Sequence, residues 1–378
     1  MSNKTLAILA AVAAVMVGIA ALQSRLSQHS SQDASGPKYL IQGLNPDDIV
    51  SIEIANGDEK TTLSRDAKGF VVVDKGNYQA NAEQINELIT GCLDIKTNQL
   101  YARTASNHAD LEVTEDKAKD VVKFLKKDAT LLTGVIVGKY KEEGQGTYIR
   151  LVDSNDVYVT ERAPYIRKDP MDYLNKDILA VTDADILTIR VTDPNGGYVL
   201  DANDGPDDIA YENLPAGKTL KNSEAKSVLG ALSSFSISDV KKGSGKDLSF
   251  DRTFVCELKS GVIYTLKLAK AAEGEDTFMT CASHYVGEKV TIDRTKKDSE
   301  EELKAKEAKL LAQTESNDFT EKHKGWLYSI PQWKATALLK SQTDLLEDIP
   351  EAPTLEIPDV SAVVPTVTPG PGPAEPNQ

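Results

Sequence analysis

The chain begins with an uninterrupted apolar run and then switches repeatedly between a hydrophobic period of two and a helical period. Residues 5–24 read TLAILAAVAAVMVGIAALQS, without a charge and apolar on every face. As a helix this run extends about 30 Å, the thickness of a hydrocarbon core, and so predicts a membrane anchor. Lys4 precedes it and directs residues 1–4 to the cytoplasm, although Arg25 on the far side weakens that bias. Gly18 and Ala20 keep a cleaved signal peptide open as the competing reading. Residues 25–37 are a polar linker.

Beyond the linker, Ile49-Val50-Ser51-Ile52-Glu53-Ile54 alternates as a half-buried strand does, and Asn56-Gly57 closes it as a turn. Strands at 61–64 and 70–73 continue a meander. The period then changes: Ala82, Ile85, Leu88, Ile89 and Leu93 recur at helical spacing, with Asn81 placed to cap the helix. Further strands are predicted at 121–125, 131–137, 148–152 and 157–160.

That order returns. Asp185-Ile186-Leu187-Thr188-Ile189-Arg190-Val191 repeats the apolar character of Asp48-Ile49-Val50-Ser51-Ile52-Glu53-Ile54 position by position. Tyr198-Val199-Leu200 follows as the next strand, Ala225, Val228, Leu229 and Leu232 as the matching helix, and strands near 254–258 and 264–268 complete the echo. The pattern reads as an internal duplication with a period of roughly 140 residues, too long for a solenoid and suited to sibling modules. The predicted class is α+β: two related modules of antiparallel meander plus packed helix, residues 38–180 and 181–346, behind one transmembrane helix.

Within the second module Ser299 opens a charged helix over 299–316, with Glu302 completing a capping box and Glu300–Lys304 and Glu302–Lys306 spaced as ion pairs. Such a helix is either a solvated face or an arm for a partner. Residues 325–331 predict a last strand, and Gln332 to Leu346 a last helix packing Trp333, Ala337, Leu338 and Leu345. The proline-rich tail, 347–378, reads as disordered.

Composition narrows the partners. A net charge of -15 and a pI near 4.9, with no dense basic stripe, exclude nucleic acid as a natural partner. Cys92, Cys256 and Cys281 contain no CxxC pair, and His29, His108, His284 and His323 are scattered, so no zinc site is spelled out. Cys256 and Cys281 fall in what read as neighbouring strand segments, which leaves a disulfide between them open beside the alternative of three buried apolar thiols.

Candidate chemistry is sparse. Gly243-Ser244-Gly245-Lys246-Asp247 lacks the upstream glycine and the Ser/Thr of a phosphate loop and reads as a turn. Asp201 to Asp208 is rich in carboxylates but has its glycine one position early for a calcium loop and no closing Glu. Neither a GxSxG elbow nor an HExxH helix occurs. No catalytic, cofactor-binding or metal-binding residue, and no cofactor, is therefore assigned, and the 13 tyrosines fit a binding face as well as an exposed sheet.

The anchor, the strand Ile49 to Ile54, the helix from Ala82, Gly134-Val135-Ile136-Val137-Gly138, Thr147-Tyr148-Ile149-Arg150, and Gly325-Trp326-Leu327-Tyr328 with Pro331 and Trp333 resemble the bacterial "domain of unknown function 4340" proteins across about residues 40 to 347. The charged helix from Ser299 departs from that resemblance. Its implication is an envelope-facing accessory protein of an ABC-type export system of the gliding-motility kind, without family catalytic residues to carry over. The expectation is a non-catalytic protein in the bacterial cytoplasmic membrane, crossing once, with its bulk facing the periplasm or exterior. Its partner would be an ABC permease or another envelope protein. An envelope scaffold or adhesion protein, and an envelope hydrolase whose site assembles only in three dimensions, remain the alternatives.

Overall fold

A computed structural model describes residues 38–349 apart from 58, 143–144, 271–275, 289 and 291–297. The predicted anchor and the tail beyond Ile349 lie outside these residues, and no helix among the described residues is long and apolar enough to cross a membrane.

The main sheet of the first half has nine strands: β1 (Ser51–Asn56), β2 (Glu59–Asp66), β3 (Gly69–Val72), β4 (Tyr78–Gln79), β5 (Gln99–Ala102), β6 (Asp120–Leu125), β7 (Leu131–Tyr140), β8 (Thr147–Leu151) and β9 (Val157–Thr160). Helix α1 (Ala82–Leu93) lies between β4 and β5. The expected cap is present, because the Asn81 side chain accepts from the backbone N–H groups of Glu83 and Gln84. The sheet runs β4-β3-β2-β1-β6-β7-β8-β9-β5, with antiparallel pairing throughout.

The second half forms β10 (Ile186–Asp193), β11 (Gly196–Asp201), β12 (Ala210–Tyr211), α2 (Asn222–Leu229), β13 (Asp239–Lys242), β14 (Arg252–Leu258), β15 (Val262–Lys270), β16 (Thr277–Tyr285), α3 (Glu300–His323), β17 (Trp326–Ile330), α4 (Gln332–Leu338) and α5 (Gln342–Leu345). Its eight-stranded sheet runs β12-β11-β10-β14-β15-β16-β17-β13. The fold is α+β, dominated by antiparallel sheet.

Both sheets follow one plan. The first strand, β1 or β10, is central, with its hairpin partner on one side and the strand reached after the helix-containing excursion on the other. The strand directly after the helix, β5 or β13, goes to the far edge, where the last strand closes on it. Ile52 faces Leu63 and Phe124, while Ile189 faces Leu200 and Cys256, so residues aligned by the sequence echo occupy matching central positions. The strands β5 and β13 escape sequence reading because four edge residues carry too little alternation to register a period.

The two sheets differ on their outer faces. In the first, the connection 103–119 folds over the sheet and buries Leu111 and Val113 against Val121, Ile136, Tyr148 and Val157. The equivalent connection in the second, 243–251, is shorter, and Val199, Val255 and Thr265 stay only half-buried. Nearly all other buried apolar side chains join one continuous core that runs through both halves.

Two expectations fail here. The last helix is split, α4 ending at Leu338 and α5 beginning after Ser341, where Ser341 and Asp344 form a fresh capping box. The Arg252 guanidinium explains the end of α4: it donates to the Leu338 and Lys340 carbonyls and bonds the Asp193 carboxylate at 2.5 Å. Trp333 is not packed but 68% exposed, because the buried face of α4 is set by Ala335 and Leu338, one step out of phase with it. The Lys334 ammonium instead lies 4.7 Å from its ring.

Candidate functional site

Helix α3 is the most distinctive element. Ser299 accepts from the Glu302 N–H at 3.2 Å while the Glu302 carboxylate accepts from the Ser299 N–H at 2.8 Å, the capping box read from sequence. Glu300 and Lys304 pair at 2.8 Å, whereas Lys306 bonds Asp298, upstream of the cap, at 2.5 Å. The helix continues to His323 rather than stopping near residue 316, since its second half is held by tertiary contacts.

Those contacts come from one face. Ala312, Ser316, Phe319 and His323 are its buried residues. The Phe319 ring meets Tyr264 edge-on at 5.0 Å, and Ser283 donates its hydroxyl hydrogen to Ser316 at 2.9 Å. The Thr320 hydroxyl accepts from the Ser283 N–H at 2.8 Å and donates to the Ser283 carbonyl at 2.6 Å. It thereby satisfies β16 where β17, whose register reaches only Thr277 to Met279, no longer runs alongside.

The first half of α3 contributes none of the buried residues. At 3.6 residues per turn, Leu303 and Leu310 fall on the side roughly opposite the packed face, and Leu311 on its flank. They are 55%, 40% and 63% exposed and border a shallow cavity of about 310 Å³ with Val290, Glu307 and Thr314. Three leucines on an otherwise charged helix, turned away from their own sheet, form an apolar stripe that no described residue covers.

At the base of the arm the two sheets meet. Lys75 and Asp239 pair at 2.7 Å across the junction, and the Tyr78 ring stands edge-on to Trp326 at 5.0 Å. The connecting segment bonds to both sides: the Asn175 N–H donates to the Gln79 carbonyl, and the Ile237 N–H to that of Lys176. Burial pushes the Tyr78 hydroxyl up to about 12 and holds the His323 imidazole down at about 3, so both are neutral near pH 7. Arm, last strand and sheet junction share this buried cluster.

Residues 71–253 match the family model described as Domain of unknown function (DUF4340). Over these residues the chain is similar to this family. A comparison with the curated proteins found no match. The DUF4340 match begins in β3 and ends in β14, so it takes in α1, the segment joining the sheets, and the start of the second sheet. Arm α3 lies outside it, and so do the strand Ile49 to Ile54 and the segment Gly325 to Tyr328, which carried part of the resemblance; the match is shorter than the span of about 40 to 347 expected from sequence.

Other loops singled out from sequence serve local structure. Gly243 and Gly245 have positive φ of 138° and 61° in the connection from β13 to β14, which makes that segment a turn. In the acidic loop, Asp201 accepts from the Asn203 N–H, and Asp207 bonds Lys226 at 2.6 Å. Two of its four carboxylates are thus spent, one on the loop and one on a neighbouring lysine. No group of three or more His, Cys, Asp or Glu positioned for a metal occurs among the described residues.

The cysteines decide between the two alternatives left open by the sequence. Cys256 on β14 and Cys281 on β16 both face β15, opposite Tyr264 and Leu266, so a whole strand separates them. Two inter-strand steps amount to about 10 Å, beyond the reach of a disulfide. All three cysteines are free and buried, the other alternative left open by the sequence.

Proposed function

We propose that this chain is a non-catalytic accessory protein of an ABC-type transport system, anchored in the cytoplasmic membrane by its N-terminal apolar run, with its bulk on the outer side. The observation that carries this reading is the leucine stripe Leu303, Leu310 and Leu311, which no described residue covers and which lies away from the packed face of α3. Apolar side chains clustered on an exposed helix face support a protein-docking role. The shared plan of the two sheets supports their origin as copies of one module, the second having gained the arm.

The test is affinity capture of the full chain from detergent-solubilised membranes of its own organism, comparing wild type with the triple variant Leu303→Ser, Leu310→Ser, Leu311→Ser. Wild type should bring down a permease and its ATPase. The variant should lose them while keeping its melting temperature, because none of the three leucines is in the core. Failure of wild type to recover either subunit would sink the transporter reading, and undiminished recovery by the variant would remove the arm from it.

A further inference from the structure

A cavity of about 620 Å³ opens beside the C-terminal turn of α1, remote in sequence from the arm. Its wall includes Gly91, and that glycine is unexpected. A glycine inside a helix costs about 1 kcal/mol relative to alanine. Glycines inside strands of this chain have steric reasons: a Cβ at Gly134, Gly138 or Gly197 would strike a backbone oxygen at 2.7, 2.4 or 2.3 Å. A Cβ on Gly91 would meet only Pro164 at 3.5 Å, an ordinary contact. Neither crowding nor backbone conformation requires glycine here. What lies beyond it is the cavity, which a larger side chain would begin to fill.

The rim is polar and balanced. Tyr39 is 48% exposed, with the Lys96 ammonium 5.2 Å from its ring. Asn98 donates to the Glu161 carboxylate at 2.7 Å, a bond that uses one of its amide hydrogens and neither lone pair of its amide oxygen. The buried Thr160 hydroxyl accepts from the Arg162 N–H and donates to the Arg162 carbonyl, fixing the turn that carries this arginine. Asp94, the C-cap of α1, completes the ring. Lys96 and Arg162 oppose Asp94 and Glu161, so the formal charges cancel and no single ionic headgroup is favoured over its opposite. What remains is a circle of hydrogen-bond donors and acceptors around one partly exposed aromatic ring, in a space suited to a ligand of modest size.

We propose that this cavity binds a neutral, hydroxyl-rich ligand, a short oligosaccharide. Sugar hydroxyls both donate and accept, which suits a rim offering both, and the C–H face of a pyranose stacks on a tyrosine ring. The proposal does not depend on the transporter reading.

The test is titration calorimetry on the full chain, held in a detergent without a sugar headgroup, with chitotetraose, maltotetraose, tetraglycine and inorganic phosphate as probes. At least one tetrasaccharide should bind saturably, and Arg162→Ala should weaken it by roughly tenfold or more. Gly91→Leu should abolish binding while melting at the same or a higher temperature, since leucine is the better helix former. Loss of binding would then reflect a filled cavity and not an unfolded chain. Absence of heat with both tetrasaccharides would overturn the proposal. So would binding that both variants leave unchanged, or uptake of tetraglycine or phosphate in their place.

Discussion

The Tyr328 hydroxyl lies 2.7 Å from Nδ1 of His323, joining the last long strand to the end of the helix that precedes it. The other ring nitrogen of His323, Nε2, is buried and has no hydrogen-bond partner among the described residues. A neutral imidazole tolerates this arrangement; an imidazolium would place an unpaired charge in the core.

Stability should therefore depend on pH through His323. Burial lowers its folded pKa from 6.5 to about 3, so over that interval the unfolded chain binds the extra proton and stability falls as pH falls. Above the unfolded pKa the contribution is fully present. Urea unfolding between pH 7 and pH 4.5 should show a slope of up to about 1.4 kcal/mol per pH unit from this group once the unfolded histidine is protonated. His323→Gln, which stays neutral, should flatten that slope. An unchanged slope in the variant would assign the effect to other groups.

The sheet junction should behave as core and not as a surface contact. Tyr78→Ala removes a ring that is 2% exposed and should cost about 3 kcal/mol. Lys75→Ala breaks only a partly exposed ion pair and should cost less than about 1 kcal/mol. Because one apolar cluster runs through both halves, calorimetry should give a single unfolding transition in wild type. Two resolved transitions, with Tyr78→Ala moving only one of them, would contradict a shared core.

All three thiols should be free and unreactive in the folded chain. Burial raises each to about 12, which leaves almost no thiolate at neutral pH. Alkylation without reductant should label none of Cys92, Cys256 and Cys281 in the native protein and all of them in denaturant. Incomplete labelling in denaturant that reductant restores would reveal a disulfide.

Much of the fold was legible because its causes are local. Asn81 before Ala82 and Ser299 before Glu302 announce helix starts through caps a few residues long, and both caps are present. The resemblance between Ile49 to Ile54 and Ile186 to Val191 locates the central strand of each sheet, since a strand at the sheet centre needs the same burial wherever it occurs. The end of α3 was not legible, because residues beyond 316 are held by Tyr264, Ser283 and Tyr328, which the helix's own periodicity cannot report. Trp333 misled for the converse reason: a large aromatic residue suggests burial, but the phase of a short helix is set by whichever neighbours reach the core.

The candidate sites divide in the same way. Sequence alone determined the apolar run, the acidic balance, the start of the charged helix, and the central strand and packed helix of each half, all of which follow from side-chain chemistry at short range. The tertiary structure decided that β15 stands between Cys256 and Cys281, that the leucines of α3 turn away from their own sheet, and that Gly91 faces Tyr39 and Arg162 across an open cavity. These depend on which distant segments become neighbours, and that is settled by the packing of a core rather than by any local pattern.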